Sequence, residues 1–218
     1  MNTYIDHTLL NADATLKQIH NLCEEAIAYK FASVCINSSY VKSAAEILKD
    51  SEVKVCTVVG FPLGASSTKA KTEEAKQAIA DGASEIDMVL HQGKLKSKDF
   101  AYVKEDIQAV KNAIGNHTLK VILEICNLTD EEVAKACQIS EQAGADFVKT
   151  STGFGSHGAT LEAVKIMKNN SSDKVKIKAS GGIRDTETAK KYIDLGVSRI
   201  GASAGIAIVE GTSSNSTY

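Results

Sequence analysis

The 218-residue sequence has little of what divides a chain into domains or carries it into a membrane. It contains a single proline, and no Ser/Gly/Pro-rich stretch interrupts its middle, so a linker between two domains is not expected. No apolar run approaches the roughly 20 residues that span a bilayer, and the N-terminus has neither a basic start nor a hydrophobic signal segment. We therefore expect a single cytoplasmic domain over residues 1–210, no membrane partner, and a low-complexity tail over residues 211–218.

The sequence also lacks a strong charge of either sign. Its 25 basic and 27 acidic residues give a formal charge of −2 and are spread along the chain. A protein that binds nucleic acid or an anionic surface usually has a basic stripe, which is absent here. A small solute is the expected partner, and nucleic acid is not.

The metal-binding and disulfide patterns are missing as well. The five cysteines are odd in number and form no C-x-x-C pair, and the five histidines show neither H-x-H nor H-E-x-x-H spacing. We expect reduced thiols packed as small apolar side chains, with no metal and no cofactor.

What the sequence does contain is an alternation of short apolar runs with longer segments of helical period. This alternation is typical of repeated βα units around a parallel sheet. The expected strands are Thr3–His7, Ser33–Asn37, Lys54–Val59, Ser84–Leu90, Leu119–Ile125, Asp146–Thr150, Val175–Ala179 and Ser198–Ala202.

The helices between these strands have readable ends. Thr129 and Glu132 form a capping box, and Gly144 closes the same helix. Another helix carries an apolar stripe and ends at Gly115; the stripe is Val103, Ile107, Val110 and Ile114. Eight units of this size predict an α/β fold, a single-domain (β/α)8 barrel, with an open doubly wound sheet as the alternative.

Three six-residue segments share a pattern: a glycine comes first, a small residue second and a β-branched residue fifth, and the sixth residue is Asp87, Lys149 or Gly201. They are Gly82–Asp87, Gly144–Lys149 and Gly196–Gly201. Strand period turns the β-branched residues toward the helices and Asp87, Lys149 and Gly201 into the barrel, near the carboxyl ends of their strands. The same period predicts that Glu85, Lys176 and Arg199 pair deeper in the barrel, because unpaired buried charges are costly.

Two lysines near strand ends suggest covalent catalysis. Lys149 and Lys178 lie on consecutive expected strands and should face each other. A free lysine is uncharged in only roughly 1 molecule in 2,500 at pH 7, so a nucleophilic lysine needs burial or a second cation nearby. We interpret Lys149 as the attacking amine, Lys178 as the second cation and Asp87 as the balancing charge that relays protons.

Two glycine-bearing turns follow the last two strands, at Ser180–Arg184 and Gly201–Gly205. Loops at these places in a (β/α)8 barrel commonly bind phosphate through backbone N–H groups and a following helix N-terminus. The substrate is therefore expected to be phosphorylated.

The chain resembles the deoxyribose-phosphate aldolases, a family of class I, Schiff-base-forming aldolases. The likeness covers nearly the whole chain, and its motifs are Ile5–Leu10, Val55–Gly64, Glu85–Val89, Phe147–Phe154, Lys178–Arg184 and Arg199–Ser203. It implies reversible cleavage of 2-deoxy-D-ribose 5-phosphate to D-glyceraldehyde 3-phosphate and acetaldehyde in deoxyribonucleoside breakdown, without a cofactor. It also implies that Lys149 is the Schiff-base lysine, that Lys178 lowers its pKa and that Asp87 moves protons.

The resemblance implies further site residues. Asp6 and Thr152 match positions that line the pocket, although a loop-capping hydroxyl is an equal alternative for Thr152, and Tyr218 matches a C-terminal tyrosine that assists proton transfer in some members. The expected phosphate-binding residues are Gly181, Gly182, Gly201 and Ser203. Many relatives have a second serine where this chain has Ala204, which puts discrimination for phosphate in question.

Alternatives remain open. The chain could be another Schiff-base barrel aldolase or a transaldolase, or a phosphosugar-binding protein without activity. A homodimer through exposed apolar helix faces is also possible.

Overall fold

The computed structural model describes residues 1–212. Tyr218 and most of the expected tail, residues 213–218, lie outside this range, so the boundary at residue 210 stays a prediction. No helix of residues 1–212 is both long enough and apolar enough to cross a bilayer.

Eight parallel strands form a closed barrel in which each strand pairs with its neighbours in sequence and β8 pairs with β1. The open-sheet alternative is therefore wrong. The strands are β1 (Ile5–Leu9), β2 (Ser33–Ile36), β3 (Lys54–Val59), β4 (Glu85–Val89), β5 (Thr118–Ile122), β6 (Phe147–Lys149), β7 (Lys176–Ser180) and β8 (Arg199–Ala202).

Helices connect the strands around the outside of the barrel. They are α1 (Leu16–Tyr29), α2 (Val41–Leu48), α3 (Thr68–Ala80), α4 (Gln92–Lys96), α5 (Phe100–Ile114), α6 (Asp130–Gln142), α7 (Leu161–Asn169), α8 (Thr186–Asp194) and α9 (Gly205–Glu210). Short 3-10 turns lie at Asn2–Tyr4, Ser38–Tyr40 and Ile125–Asn127.

All eight strands were expected, and the differences are at their ends. The expected first strand began at Thr3, but residues 2–4 form a 3-10 turn and β1 runs from Ile5 to Leu9. The expected fifth strand ended at Ile125, whereas β5 ends at Ile122 because Glu124 adopts a left-handed conformation. Such a residue breaks regular extended pairing.

The predicted helix ends and burial pattern are confirmed. Thr129 and Glu132 form the reciprocal capping box of α6, and the four-residue apolar stripe of α5 is buried. Ile86, Val148 and Ile200 belong to the core between the strands and helices. The residues that alternate with them therefore point into the barrel, and the candidate site lies there.

Candidate active site

The interior of the barrel holds a cluster of seven charged side chains, all on strands. Its four cations are Lys120, Lys149, Lys178 and Arg199, and its three carboxylates are Asp6, Glu85 and Asp87. Strand period places each of them on the inner face, where the neighbouring strands bring them together. We call this group the barrel charge cluster.

Asp87 is the centre of the cluster. The Nζ atoms of Lys149 and Lys178 each donate to its Oδ2 at 2.8 Å, and Lys120 Nζ donates to Oδ1 at 2.7 Å. Cys56 Sγ lies 3.1 Å from the same Oδ1. Burial alone would raise the pKa of Asp87, but the three lysines outweigh it and hold the pKa well below its usual range. Asp87 is thus a carboxylate in the resting protein.

The two lysines of interest face each other, as predicted. Lys149 and Lys178 are register partners on β6 and β7, and both are buried. Because they bind one oxygen atom, their nitrogens are at most twice 2.8 Å apart. The two amines therefore share one environment.

Lys178 forms an ion pair with a second carboxylate, and within residues 1–212 Lys149 does not. Its Nζ lies 2.5 Å from Asp6 Oδ2. Burial alone would lower the pKa of Lys178, but Asp6 and Asp87 hold that pKa above its ordinary value. Lys178 is thus a cation beside Lys149 in the resting protein.

Asp6 joins the cluster to the first strand. It binds Arg199 as well as Lys178, and it is fully buried. Burial alone would raise its pKa, but Lys178, Arg199 and Lys120 lower it. Asp6 therefore belongs to the same charge network as the two lysines.

The predicted ion pairs deeper in the barrel are confirmed in part. Arg199 binds Glu85 at 2.5 Å. The prediction for Lys176 is wrong: its side chain is exposed, with Nζ 5.7 Å from the centre of the Phe147 ring. Lys176 is the first residue of β7, where the open end of the barrel lets the ammonium reach solvent.

Lys120 takes the place expected for Lys176, and sequence reasoning missed it. Its Nζ is fully buried, 2.7 Å from Glu85 as well as from Asp87. Burial alone would lower its pKa, but Asp87 and its other partners raise the pKa well above the usual value. The available signal was a lysine between the apolar Leu119 and Val121 in an expected strand.

Two thiols lie at one side of the cluster. Cys35 and Cys56 are register partners on β2 and β3, and all cysteines of residues 1–212 are free. A hydrogen bond from Cys56 outweighs burial and, with the charge of Lys178, lowers the pKa of Cys35 to about 7. The pKa of Cys56 is raised well above its ordinary value, first by burial.

Within residues 1–212, one group of side chains could offer three atoms to a metal ion. The ligand atoms of Cys35, Cys56 and Asp87 lie within 4.8 Å of one another. Asp87 already binds three ammonium groups, whose charge opposes a metal cation at this place. The donor set fits an internal charge network better than a metal site.

The glycine turns lie at the carboxyl ends of β7 and β8. Gly181 and Gly182 have φ of +86° and +79°, values that side chains rarely adopt. An added Cβ at Gly201 would come within 3.0 Å of Lys178 Cε, so this glycine leaves room for the lysine. The side chain of Asp185 caps α8, so the N-terminus of that helix already has a hydrogen-bond acceptor.

Two cavities open near the site. One of about 480 Å³ includes Ser203 and is lined mainly by polar side chains of β1 and α1. A second, of about 200 Å³, is lined by Pro62, Leu63, Gln92, Glu124, Asn127, Thr152, Phe154 and Gly155. Thr152 is buried, and its hydroxyl and backbone N–H both donate to Glu124.

The chain is similar to known aldolases from residue 1 to residue 212. The model of the DeoC/LacD family aldolases matches residues 1–212. A deoxyribose-phosphate aldolase of Finegoldia magna is 60% identical over 211 residues, covering 97% of this chain and 99% of that protein. A protein of the same name from Staphylococcus carnosus is 56% identical over 215 residues, covering 99% and 98%.

Solved structures agree with these relatives. A structure titled "QR15, an Aldolase" has a TM-score of 0.92 and 42% identity, covering 96% of this chain and 94% of that chain. A tetrameric deoxyribose phosphate aldolase of Aeropyrum pernix has a TM-score of 0.87 and 31% identity, covering 96% and 89%. Given the family match from residue 1 to residue 212, the chain belongs to the DeoC/LacD family of aldolases.

Proposed function

We propose that this protein is a class I aldolase that reversibly cleaves 2-deoxy-D-ribose 5-phosphate into D-glyceraldehyde 3-phosphate and acetaldehyde through a Schiff base on Lys149. One observation carries the proposal: Lys149 and Lys178 share the Oδ2 atom of Asp87 inside the barrel. The names of the relatives at 60% and 56% identity support the substrate.

The cleavage begins when the uncharged amine of Lys149 attacks C1 of the open-chain sugar. Loss of water leaves a protonated imine, which withdraws electrons. A base removes the proton of the C3 hydroxyl, the C2–C3 bond breaks, and its electron pair forms an enamine while glyceraldehyde 3-phosphate leaves. Protonation of C2 and attack of water on the imine then release acetaldehyde and restore the amine.

The composition of the barrel charge cluster supports Lys149 as the nucleophile. Four cations face three carboxylates, so the cluster holds one positive charge more than it can pair. Lys178 lies within 4.0 Å of two carboxylates and Lys120 of three, whereas within residues 1–212 Lys149 contacts one, Asp87. Lys149 is therefore the lysine of the cluster with the fewest ion pairs, and it has two cations close by, as a nucleophilic lysine requires.

Asp87 and Lys178 would move the protons of the reaction. Since Asp87 is held as a carboxylate by its three lysines, it accepts a proton only as the charge around it changes, for example when the positively charged imine on Lys149 becomes a neutral enamine. Lys178 would then exchange protons with water bound at the imine. Asp6 would hold Lys178 in place.

Phosphate binding would use Gly181, Gly182, Gly201 and Ser203. Because Asp185 already caps α8, backbone N–H groups of the glycine turns are better donors than that helix. The substitution to Ala204 keeps a backbone N–H and removes a hydroxyl, so we expect phosphate binding with weaker discrimination. Thr152 would receive a substrate hydroxyl across the pocket.

Borohydride reduction in the presence of acetaldehyde, followed by peptide mass mapping, tests the proposal. We expect one ethyl adduct, on Lys149, that is lost in Lys149→Arg and reduced in Lys178→Met. A substrate panel separates the alternatives, since a transaldolase would need a longer ketose donor. A binding protein without activity would form no adduct, and that result would refute the proposed function.

Three further expectations belong to this proposal. The enzyme should need no cofactor, so dialysis against a chelator should leave the rate of cleavage unchanged. Cell fractionation should find the protein in the cytoplasm. Tyr218 would assist protonation at the acetaldehyde methyl carbon. Deleting it should slow solvent exchange of those protons; unchanged exchange would remove Tyr218 from the mechanism.

A further inference from the structure

The pairing between β5 and β6 contains one extra residue at the mouth of the barrel. Leu123 N donates to Lys149 O at 2.9 Å, and Ile125 N donates to Thr150 O at 3.0 Å. In a regular parallel ladder, backbone N–H groups two residues apart on one strand donate to carbonyl oxygens two residues apart on the next strand. Here the two donors are two residues apart, but the two acceptors, Lys149 O and Thr150 O, belong to adjacent residues. Glu124 is thus a β-bulge, a feature that re-aims a side chain near many active sites.

Glu124 has an uncommon backbone conformation for a glutamate, with φ 57° and ψ 66°. Glu124 is 4% exposed, and its carboxylate accepts two hydrogen bonds from one residue: from Thr152 N at 3.2 Å and from the Thr152 hydroxyl. The bulge therefore aims a buried carboxylate at the segment that follows Lys149.

The contact with Glu124 fixes the polarity of the Thr152 hydroxyl. Its proton is donated to Glu124, and its oxygen accepts from Phe154 N at 3.0 Å. The remaining lone pair of this oxygen can only accept a hydrogen bond. A substrate hydroxyl satisfies that lone pair, and a phosphate or carboxylate oxygen does not.

The cavity of about 200 Å³ beside Glu124 is consistent with this polarity. Its eight lining residues include no lysine and no arginine, so a phosphate group would find no counter-charge there. The glycine turns expected to bind phosphate follow β7 and β8, and none of their residues lines this cavity. The cavity and the glycine turns thus differ in the substrate groups that they accept.

We propose that Glu124 is a positioning residue of the aldolase reaction. It acts through Thr152, whose hydroxyl it holds as an acceptor for a hydroxyl of the sugar. This inference rests on the proposed function, because it assumes a phosphorylated sugar on Lys149.

Glu124→Gln tests the inference, because the amide keeps the size of the side chain and can donate to the Thr152 oxygen. The Thr152 hydroxyl would then no longer be held as a donor to residue 124. We expect kcat/KM for 2-deoxyribose 5-phosphate cleavage to fall about tenfold, equivalent to about 1.4 kcal/mol. Acetaldehyde has no hydroxyl, so borohydride trapping of acetaldehyde on Lys149 should change less than about twofold.

A double-mutant cycle shows whether Glu124 acts through Thr152. In a Thr152→Val background, which has no hydroxyl, Glu124→Gln should have little further effect on cleavage. Thr152→Ser, which keeps the hydroxyl, should stay within about threefold of the parent enzyme and provides a second comparison with Thr152→Val if Glu124→Gln does not fold. Gln138→Ala is the control and should cleave the sugar at the parent rate, since Gln138 lies on α6 outside this cavity and donates to Asn170.

The inference is overturned if cleavage and acetaldehyde trapping fall together, if the effects of Glu124→Gln and Thr152→Val add, or if Thr152→Val cleaves the sugar as well as Thr152→Ser. A parent enzyme that forms no acetaldehyde adduct would instead refute the proposed function. The two failures are therefore distinguishable.

Discussion

Replacing Lys120 by methionine removes one cation from the barrel charge cluster, and this should change both stability and pH dependence. Lys120 is fully buried between Glu85 and Asp87, at 2.7 Å from each. Breaking a buried ion pair by removing one partner costs about 3–5 kcal/mol. Since domains are stabilised by about 5–15 kcal/mol in total, we expect a folded but clearly weakened protein.

The same change should move the acidic limb of the pH–rate profile to higher pH. Lys120 Nζ donates to Asp87 Oδ1 at 2.7 Å, and it is the first of the three lysines that hold the pKa of Asp87 well below its usual range. Removing this positive charge raises the pKa of Asp87, so the carboxylate takes up a proton at a higher pH than in the parent protein. An opposite charge this close lowers a carboxyl pKa by about 1–3 units, so we expect the limb to shift by about 1–2 units toward alkaline pH.

Two measurements on matched variants test this reasoning. Urea unfolding gives the loss of stability, and kcat/KM for aldehyde release between pH 3 and 9 gives the limb. Lys71→Met is the control, because Lys71 is equally buried and binds Asp106 at 2.6 Å between α3 and α5, outside the cluster. It should lose comparable stability without moving the limb. A Lys120→Met profile that coincides with the parent profile, or moves toward acid pH, would refute the charge argument.

Three shorter predictions follow from other contacts. Gly201→Ala places a Cβ 3.0 Å from Lys178 Cε, and we expect kcat to fall on the order of 10²-fold. The control Gly211→Ala, outside the barrel, should leave kcat unchanged. Equal rates for the two variants would show that Lys178 tolerates the methyl group. The thiolate absorbance that is lost in Cys35→Ser should rise with a midpoint near pH 7, whereas that lost in Cys137→Ser should stay flat below pH 10, because burial raises the pKa of Cys137 to about 12. A midpoint near pH 9 for Cys35 would contradict the effect of Cys56. Sedimentation should show a homodimer that Leu16→Glu weakens, because Leu16 and Ile27 are exposed apolar residues of α1; a monomeric parent protein would end this prediction.

The repeat of eight βα units was readable because burial imposes a period on each strand and capping imposes chemistry on each helix end. The pairing of Lys149 with Lys178 was predictable for the same reason, since residues near the carboxyl ends of neighbouring parallel strands meet. Glu85 and Arg199 were assigned to the interior by strand period alone, and both lie there.

The alternation of residues along a strand predicts which face a side chain points to, but it does not predict how exposed that side chain is. Lys176 and Lys120 have the same inward direction in sequence, but Lys176 begins its strand at the open end of the barrel and is exposed, while Lys120 is enclosed. The bulge at Glu124 was equally hidden, because an extra residue in a parallel ladder is defined only by its partners on β6.

The sequence by itself determined the order of elements, the faces of the strands and the residue types available for chemistry, because these depend on local period and on side-chain identity. Only the tertiary structure decided which charges share a partner and which are covered, since distance and burial depend on closure of the barrel. The environment of the reacting amine is therefore a property of the closed barrel, in which Asp87 is bound by three lysines from three different strands.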